Sequence, residues 1–346
     1  MNKVVDASIW DHQLSDMQAQ ALKLENEVAK VILGQDKAIR LMLISIFARG
    51  HVLLEGDVGV GKTTLLRAIS RGIGGAYERV EGTVDLMPND LIYHMHLGAE
   101  GRPQVDPGPL LRSGENLSIF FFNEINRARP QVHALLLRVM AERSLYAFKR
   151  EYRLPHMLVF ADRNQVEKEE TFEIPSAARD RFMMEIPISV PQDPALRKSL
   201  VFNSRFHDTD SLTNQVEENL LQFDKLNDFS KSLQLHIQAS PVLEDYAMEL
   251  WQATVTPAKY GIKIDGVDIH RLIHAGASPR GMAMLLKAAK VNAWLSGRES
   301  VLPADIHTVF HEVLAHRLVL SAMYESRRTV LSRQLMTAII RTVAVP

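Results

Sequence analysis

Residues 51–70, HVLLEGDVGVGKTTLLRAIS, constrain the chain more than any other stretch. The apolar run Val52, Leu53 and Leu54 reads as a buried strand, a glycine-rich turn follows it, and a helical pattern follows the turn. Gly56, Gly61, Lys62 and Thr63 fill the fixed positions of G-x-x-x-x-G-K-[ST], the P-loop. Glycine suits such a turn because it adopts positive φ and lets the main chain come close to a phosphate. The amides of Gly56, Asp57, Val58, Gly59, Val60, Gly61, Lys62, Thr63 and Thr64 are therefore expected around the phosphates of a nucleotide, helped by the start of the following helix. Lys62 is placed to reach the β- and γ-phosphates, and the Thr63 hydroxyl to hold Mg²⁺.

The rest of the chain supplies the sheet that such a loop needs. Ala76–Glu81, Leu117–Phe122, Met157–Ala161 and Phe182–Ile188 read as further strands, separated by helical stretches. This pattern predicts an α/β fold with a five-stranded parallel sheet flanked by helices. Residues 12–48 read as two helices broken by the turn Gly34-Gln35, expected beside the nucleotide. The polar, proline-bearing stretch 82–114 is too long for a simple connection and reads as an irregular functional insertion. Leu145–Leu154 alternates like a small hairpin. At Pro191-Gln192-Asp193-Pro194 the character changes, which divides the chain into a nucleotide-binding domain, 1–190, and a small all-α domain, 191–346. In the latter, Ser278 and Pro279 open one helix and Pro303 another.

Leu117–Phe122 ends in Asn123-Glu124, about sixty residues beyond the P-loop, where a Walker B element belongs. Glu124 is the natural candidate to orient and activate the attacking water. Composition narrows the field elsewhere. With 40 basic and 41 acidic residues there is no overall field for nucleic acid or an anionic membrane. No cysteine is present, which excludes disulfides and thiolate metal sites and fits a reducing cytoplasm. The N-terminus lacks the apolar core of a signal peptide, and the longest apolar runs, Leu41–Phe47 and Ile119–Phe122, are too short to span a bilayer.

Other patterns are weaker. His311-Glu312 and His316 have the wrong spacing for a zinc helix; His307 with His311, and His270 with His274, lack a third ligand and read as solvated or hydrogen-bonded helix histidines. His94 and His96 lie in the insertion. Arg127, Arg129, Arg143, Lys149, Arg150 and Arg153 make the segment after Glu124 basic, with Tyr146 and Phe148 on the hairpin; a solvated surface or subunit contacts explain them as well as a polymer-gripping pore does.

Taken together, GDVGVGKTT, FFFNEINRARPQ, ADRNQVEKEETFEIPSAARDRF and GASPRG resemble the MoxR branch of the AAA+ ATPases, in order over about residues 30–320. YERVEGTVDLMPND and FKREYRLPH resemble in particular the MoxR proteins of methanol-oxidising bacteria. The resemblance implies that Asn164 is sensor 1, that Arg181 is an arginine finger offered to a neighbouring subunit, and that Arg280 is sensor 2 on a helical lid. It implies a homo-oligomeric ring, expected to be hexameric, and an ATP-driven chaperone that matures an enzyme or inserts its metal or cofactor. A von Willebrand factor A domain protein is the implied partner, and methanol dehydrogenase a candidate client. Asn123 departs from the family, which has aspartate there to assist Mg²⁺; two readings stay open, that the lost charge slows hydrolysis and Asn123→Asp would relieve it, or that asparagine is fully adequate. Two other readings remain open at this point: a nucleic-acid motor or loader, and a nucleotide-dependent scaffold with little turnover.

Overall fold

The computed structural model describes residues 7–98, 101–164 and 171–346. Residues 165–170, which carry part of the family-like segment 161–182, lie outside the described residues, as do 99–100 of the insertion. The chain falls into two compact units, residues 1–174 with 186–228, and residues 175–185 with 229–346.

The first unit opens with two helices, α1 (Ala7–Val31) and α2 (Asp36–Phe47). Ala21, Leu24, Val28 and Val31 recur at three- and four-residue spacing and are buried, so α1 lays one stripe on the core. Nearly all of α2 is buried, which a helix between two layers requires. Between them Gly34 has φ +69°, and a Cβ there would stand 2.8 Å from the ring of Pro191; the turn needs glycine for both reasons.

The sheet consists of β1 (His51–Glu55), β2 (Ala76–Glu81), β5 (Leu117–Asn123), β8 (Leu158–Arg163) and β9 (Phe182–Pro187), which joins this unit at Ile186. Its order is β2-β5-β8-β1-β9, with parallel pairing. Helix α3 (Lys62–Ile73) follows β1, and α4 (Pro130–Glu142) follows β5. The interior strand β5 is buried from Leu117 to Phe122, because a run that is apolar but for Ser118 can satisfy both faces of a covered parallel sheet. The carboxyl end of β1 is the crevice where the chain leaves for α3 and β2 on one side while β9 lies on the other, the usual ligand position in an open α/β sheet.

Two hairpins decorate this framework. β6 (Ser144–Ala147) and β7 (Arg150–Arg153) form the expected one, turning through Phe148 and Lys149 with φ of 49° and 64°. The stretch 82–114 differs from the expected irregular insertion. It holds a single-turn helix, Pro88–Leu91, and a hairpin of β3 (Tyr93–Leu97) and β4 (Pro103–Pro107). Almost every residue of that hairpin is exposed; Tyr93, Met95 and Leu97 do alternate with His94 and His96, a period-two signal that its polar, proline-bearing surroundings obscure.

The expected boundary at 190/191 is corrected. Residues 191–228 belong to the first unit because they are tied to α1 and α3: Arg67 pairs with Asp210 at 2.6 Å, Lys23 with Glu217 at 2.5 Å, and the amides of Asn219 and Leu221 donate to the carbonyls of Arg71 and Gly72. The prolines at 191 and 194 therefore mark a turn and a helix start, and the short helix Pro194–Phe202 begins there.

The second unit contains the helices Pro241–Val255, Pro279–Leu295, Pro303–Leu314 and Arg328–Thr342. Ser278 caps the second, accepting the Gly281 amide at 3.1 Å, with Pro279 in the first turn as expected. Ile306, Val309, Phe310, Val313 and Leu314 are all buried. One departure from an all-α unit is a short antiparallel pairing of Ile273–Ala275 with Val319–Leu320. Its histidines take several roles: His307 Nε2 lies 2.6 Å from the Tyr246 hydroxyl, His270 and His274 are exposed, and His316 is buried with its Nε2 3.1 Å from the Phe182 carbonyl. Burial, with Arg317 beside it, holds His316 well below the usual imidazole range, so it stays neutral.

Candidate functional site: a nucleotide cradle and a lid arginine cluster

In the first unit the loop between β1 and α3 forms an open cradle. Gly59 and Gly61 have φ of +79° and +87°, and a Cβ on either would meet nothing within 4 Å. The space that faces those positions is free for a ligand, and the first amides of α3 open onto it without a side-chain cap. Gly56 has a different reason: a Cβ there would sit 2.2 Å from the Ile188 carbonyl oxygen. Gly56→Ala is expected to lower stability by about 1–3 kcal/mol, as overpacking against backbone does, and to weaken nucleotide binding by shifting the loop. Thermal unfolding with and without nucleotide reads both effects.

Lys62 is already engaged. Its Nζ donates to the Gly56 carbonyl at 2.6 Å and lies 2.9 Å from Asp162 Oδ2 as an ion pair. Asp162, buried at the end of β8, also accepts the Glu124 amide on Oδ1 at 2.5 Å. Burial pushes its carboxyl above the usual carboxylate range, while Lys62 and the Glu124 amide oppose that. One buried carboxylate thus joins the P-loop lysine to the backbone of the catalytic candidate that follows β5.

That tie explains the backbone of Glu124, which is left-handed at φ 52°, ψ 48°. A non-glycine residue held there is strained, a condition that persists where surrounding contacts impose it. The Glu124 carboxylate accepts Arg127 Nη1 at 3.0 Å. Asn164, the sensor 1 candidate, follows β8 directly and is buried. The Gln35 side chain donates to the Ser189 carbonyl, so the Gly34-Gln35 turn is braced on the segment after β9. At the edge of the site the Asn123 amide nitrogen donates to Glu81 Oε1.

The donor set suits Mg²⁺-nucleotide: Thr63, Asn123, Glu81 and Glu124 offer only oxygen ligands or acceptors for the water shell that this ion retains. Among the described residues there is no group of three His, Asp or Glu side chains arranged to hold a metal by themselves. Lys62 and the loop amides can hold phosphates, and Glu124 can orient water.

The second unit contains the other two arginine candidates. Asp180 accepts Ser278 Oγ at 2.6 Å and Arg280 Nη1 at 3.0 Å, and lies 3.1 Å from Arg317 Nε. Arg317 is buried and donates to the carbonyls of Asp180, Phe182 and Met183. Burial brings its pKa down to about 10, opposed by Asp180. The segment that carries Arg181 is therefore fixed from both sides, while Arg181 itself makes a hydrogen bond at 2.8 Å to the Ala177 carbonyl.

Sequence reasoning named Lys62, Thr63, Asn123, Glu124 and Asn164, which lie at the carboxyl ends of strands in one unit, and Arg181 and Arg280, which share the Asp180 neighbourhood in the other. It missed Asp162, Glu81, Asp180 and Arg317. A polar residue near the end of a buried strand is a signal for Asp162; Arg317 gives none, since the Asp180 carboxylate and the carbonyls of Asp180, Phe182 and Met183 that it meets are far away in sequence.

The family profile described as "ATPase family associated with various cellular activities (AAA)" matches residues 51–184, and that of the AAA lid domain matches residues 267–338. A protein named MoxR from Methylorubrum extorquens is 59% identical over 97% of this chain and 98% of its own length. One named chaperone MoxR1, from Mycobacterium tuberculosis, is 32% identical over 92% of this chain and 81% of its own. A crystal structure of a protein from Cytophaga hutchinsonii, provisionally named an ATPase, superposes with a TM-score of 0.78 at 30% identity, covering 96% of this chain and 99% of that one. The chain belongs to the MoxR family of AAA+ ATPases.

Proposed function

We propose that the protein is an ATP-hydrolysing remodelling chaperone that works as a homo-oligomeric ring, expected to be a hexamer, in the cytoplasm. Mg²⁺-ATP occupies the cradle of Gly56–Thr64, with Lys62 on the terminal phosphates, Thr63 on the metal, Glu124 directing water and Asn164 bridging water and phosphate. Arg181 completes the site of a neighbouring subunit, and Arg280 reports the nucleotide to the lid. Arginine suits both tasks because its planar fork stabilises spread phosphoryl charge.

The observation that carries this reading is the Lys62–Asp162–Glu124 chain, in which one buried aspartate joins the lysine to the backbone amide of the water-directing Glu124 beside an open glycine cradle. A terminal phosphate that arrives in the cradle competes with Asp162 for Lys62. Binding is thereby coupled to the setting of Glu124, as turnover requires. The relative named a chaperone supports work on a protein client. The client is an enzyme that needs maturation or insertion of a metal or cofactor, with methanol dehydrogenase the first candidate and a von Willebrand factor A domain protein the adaptor. The Mg²⁺ arrangement rests on the oxygen donors named above.

Affinity capture tests the client. A tagged Glu124→Gln chain loaded with ATP should retain the adaptor and client from a methanol-grown extract and release them with ADP. Recovery of its own subunits only, or of nucleic acid in preference to protein, would remove the chaperone reading.

A further inference from the structure

In P-loop ATPases the carboxylate that ends the Walker B strand steadies Mg²⁺. Here that position is Asn123, which has no charge, yet a carboxylate stands beside it. β2 and β5 pair in parallel with Glu81 opposite Asn123, the last residue of each strand, and the Asn123 amide nitrogen donates to Glu81 Oε1. Glu81 Oε2 is held by Arg79 Nη2 at 2.9 Å, and the Arg79 guanidinium sits 5.7 Å from the centre of the Phe121 ring. The carboxylate is thus oriented from two sides.

Glu81 also lies on the P-loop side of the sheet. Side chains alternate along a strand, so Tyr77, Arg79 and Glu81 share one face. Tyr77 lines a cavity of about 400 Å³ with Arg67, Ser70 and Arg71, which lie beyond the first turn of α3. Four residues further along β2, about 13 Å, Glu81 comes level with the start of α3, where Thr63 stands.

Resting on the Mg²⁺-ATP reading of the site, we infer that Glu81 supplies from β2 the negative charge that β5 lacks, and that Glu81 and Asn123 act as one split pair positioning the water shell of nucleotide-bound Mg²⁺. Asparagine is then the residue that fits: it donates to Glu81, whereas an aspartate at 123 would set two like charges side by side. The pair also favours the reading in which Asn123 is adequate. With Glu81 in place the asparagine does not by itself slow the site, and Asn123→Asp alone weakens it.

The test is a Mg²⁺ titration of the binding of a fluorescent ATP analogue to the full chain, as wild type, Glu81→Gln, Asn123→Asp and the double variant Glu81→Gln/Asn123→Asp. Each is also measured in EDTA, and its thermal unfolding without nucleotide is recorded. Each single variant should raise the Mg²⁺ midpoint roughly five- to tenfold, the difference between a charge-assisted and a neutral hydrogen bond, with affinity in EDTA unchanged. The double variant, which moves the charge to β5, should return to within about twofold of wild type. A merely structural pair would shift affinity in EDTA and unfolding together, and would overturn the proposal. So would a Glu81→Gln midpoint equal to wild type, or a double variant no better than Asn123→Asp. Failure of the wild type to bind the analogue with or without Mg²⁺ would instead overturn the nucleotide reading beneath it.

Discussion

Glu124→Gln is expected to lower steady-state ATP hydrolysis by about 10²–10⁴-fold, the range ascribed to a positioned general base, while nucleotide affinity changes little. The carboxamide keeps the shape of the side chain and one acceptor oxygen, but it cannot draw a proton from the attacking water. The residue's setting is independent of that change. Its left-handed backbone is held by its own amide on Asp162, and Asp162 remains in contact with Lys62. The side chain also loses its charge towards Arg127, an ion pair that is partly exposed and contributes at most about 1 kcal/mol. Phosphate release measured beside analogue binding separates the two effects. Equal losses in both would assign Glu124 to the fold of the loop instead of to the chemistry.

Arg181→Ala is expected to reduce hydrolysis by roughly 10³-fold, the lower end of what an arginine finger provides. Nucleotide affinity of the isolated subunit should be unaffected if, as proposed, the residue serves a neighbour's site. Its side chain donates to the Ala177 carbonyl at the surface, so its removal leaves the anchoring of the segment by Asp180 and Arg317 in place. Arg181→Lys should recover little, since a point charge does not reproduce the planar fork. Hydrolysis per subunit is the readout.

What the sequence disclosed follows the physics of burial. β1, β5 and β8 are apolar runs inside a covered sheet, and the P-loop glycines are forced by positive φ and close approach, so all of these could be read directly. The β3–β4 hairpin was missed although Tyr93, Met95 and Leu97 alternate with two histidines, because both strands are short and exposed and the prolines at 103 and 107 read as loop. The boundary at 190/191 misled for a related reason: a proline-rich turn looks like a linker, and the ion pairs that tie 210 and 217 to 67 and 23 are visible only in three dimensions. Asp162 and Glu81 depend on strand register. Pairing of Phe122 with Ala161 puts Asp162 next to the Walker B end, and pairing of Glu81 with Asn123 puts a carboxylate beside the asparagine. Neither neighbour is adjacent in sequence.

The central claim is that each ATP site is shared: Lys62, Glu124 and Asn164 from one subunit, Arg181 from the next. The most direct measurement mixes the two inactive variants and follows phosphate release. Glu124→Gln subunits retain the finger, and Arg181→Ala subunits retain the water-directing carboxylate, so some interfaces of a mixed ring are complete. The account predicts that equal amounts recover up to about a quarter of wild-type turnover when subunits mix at random in a closed ring. Mixed assemblies that stay as inactive as either variant alone, or an Arg181→Ala chain that is fully active by itself, would contradict it.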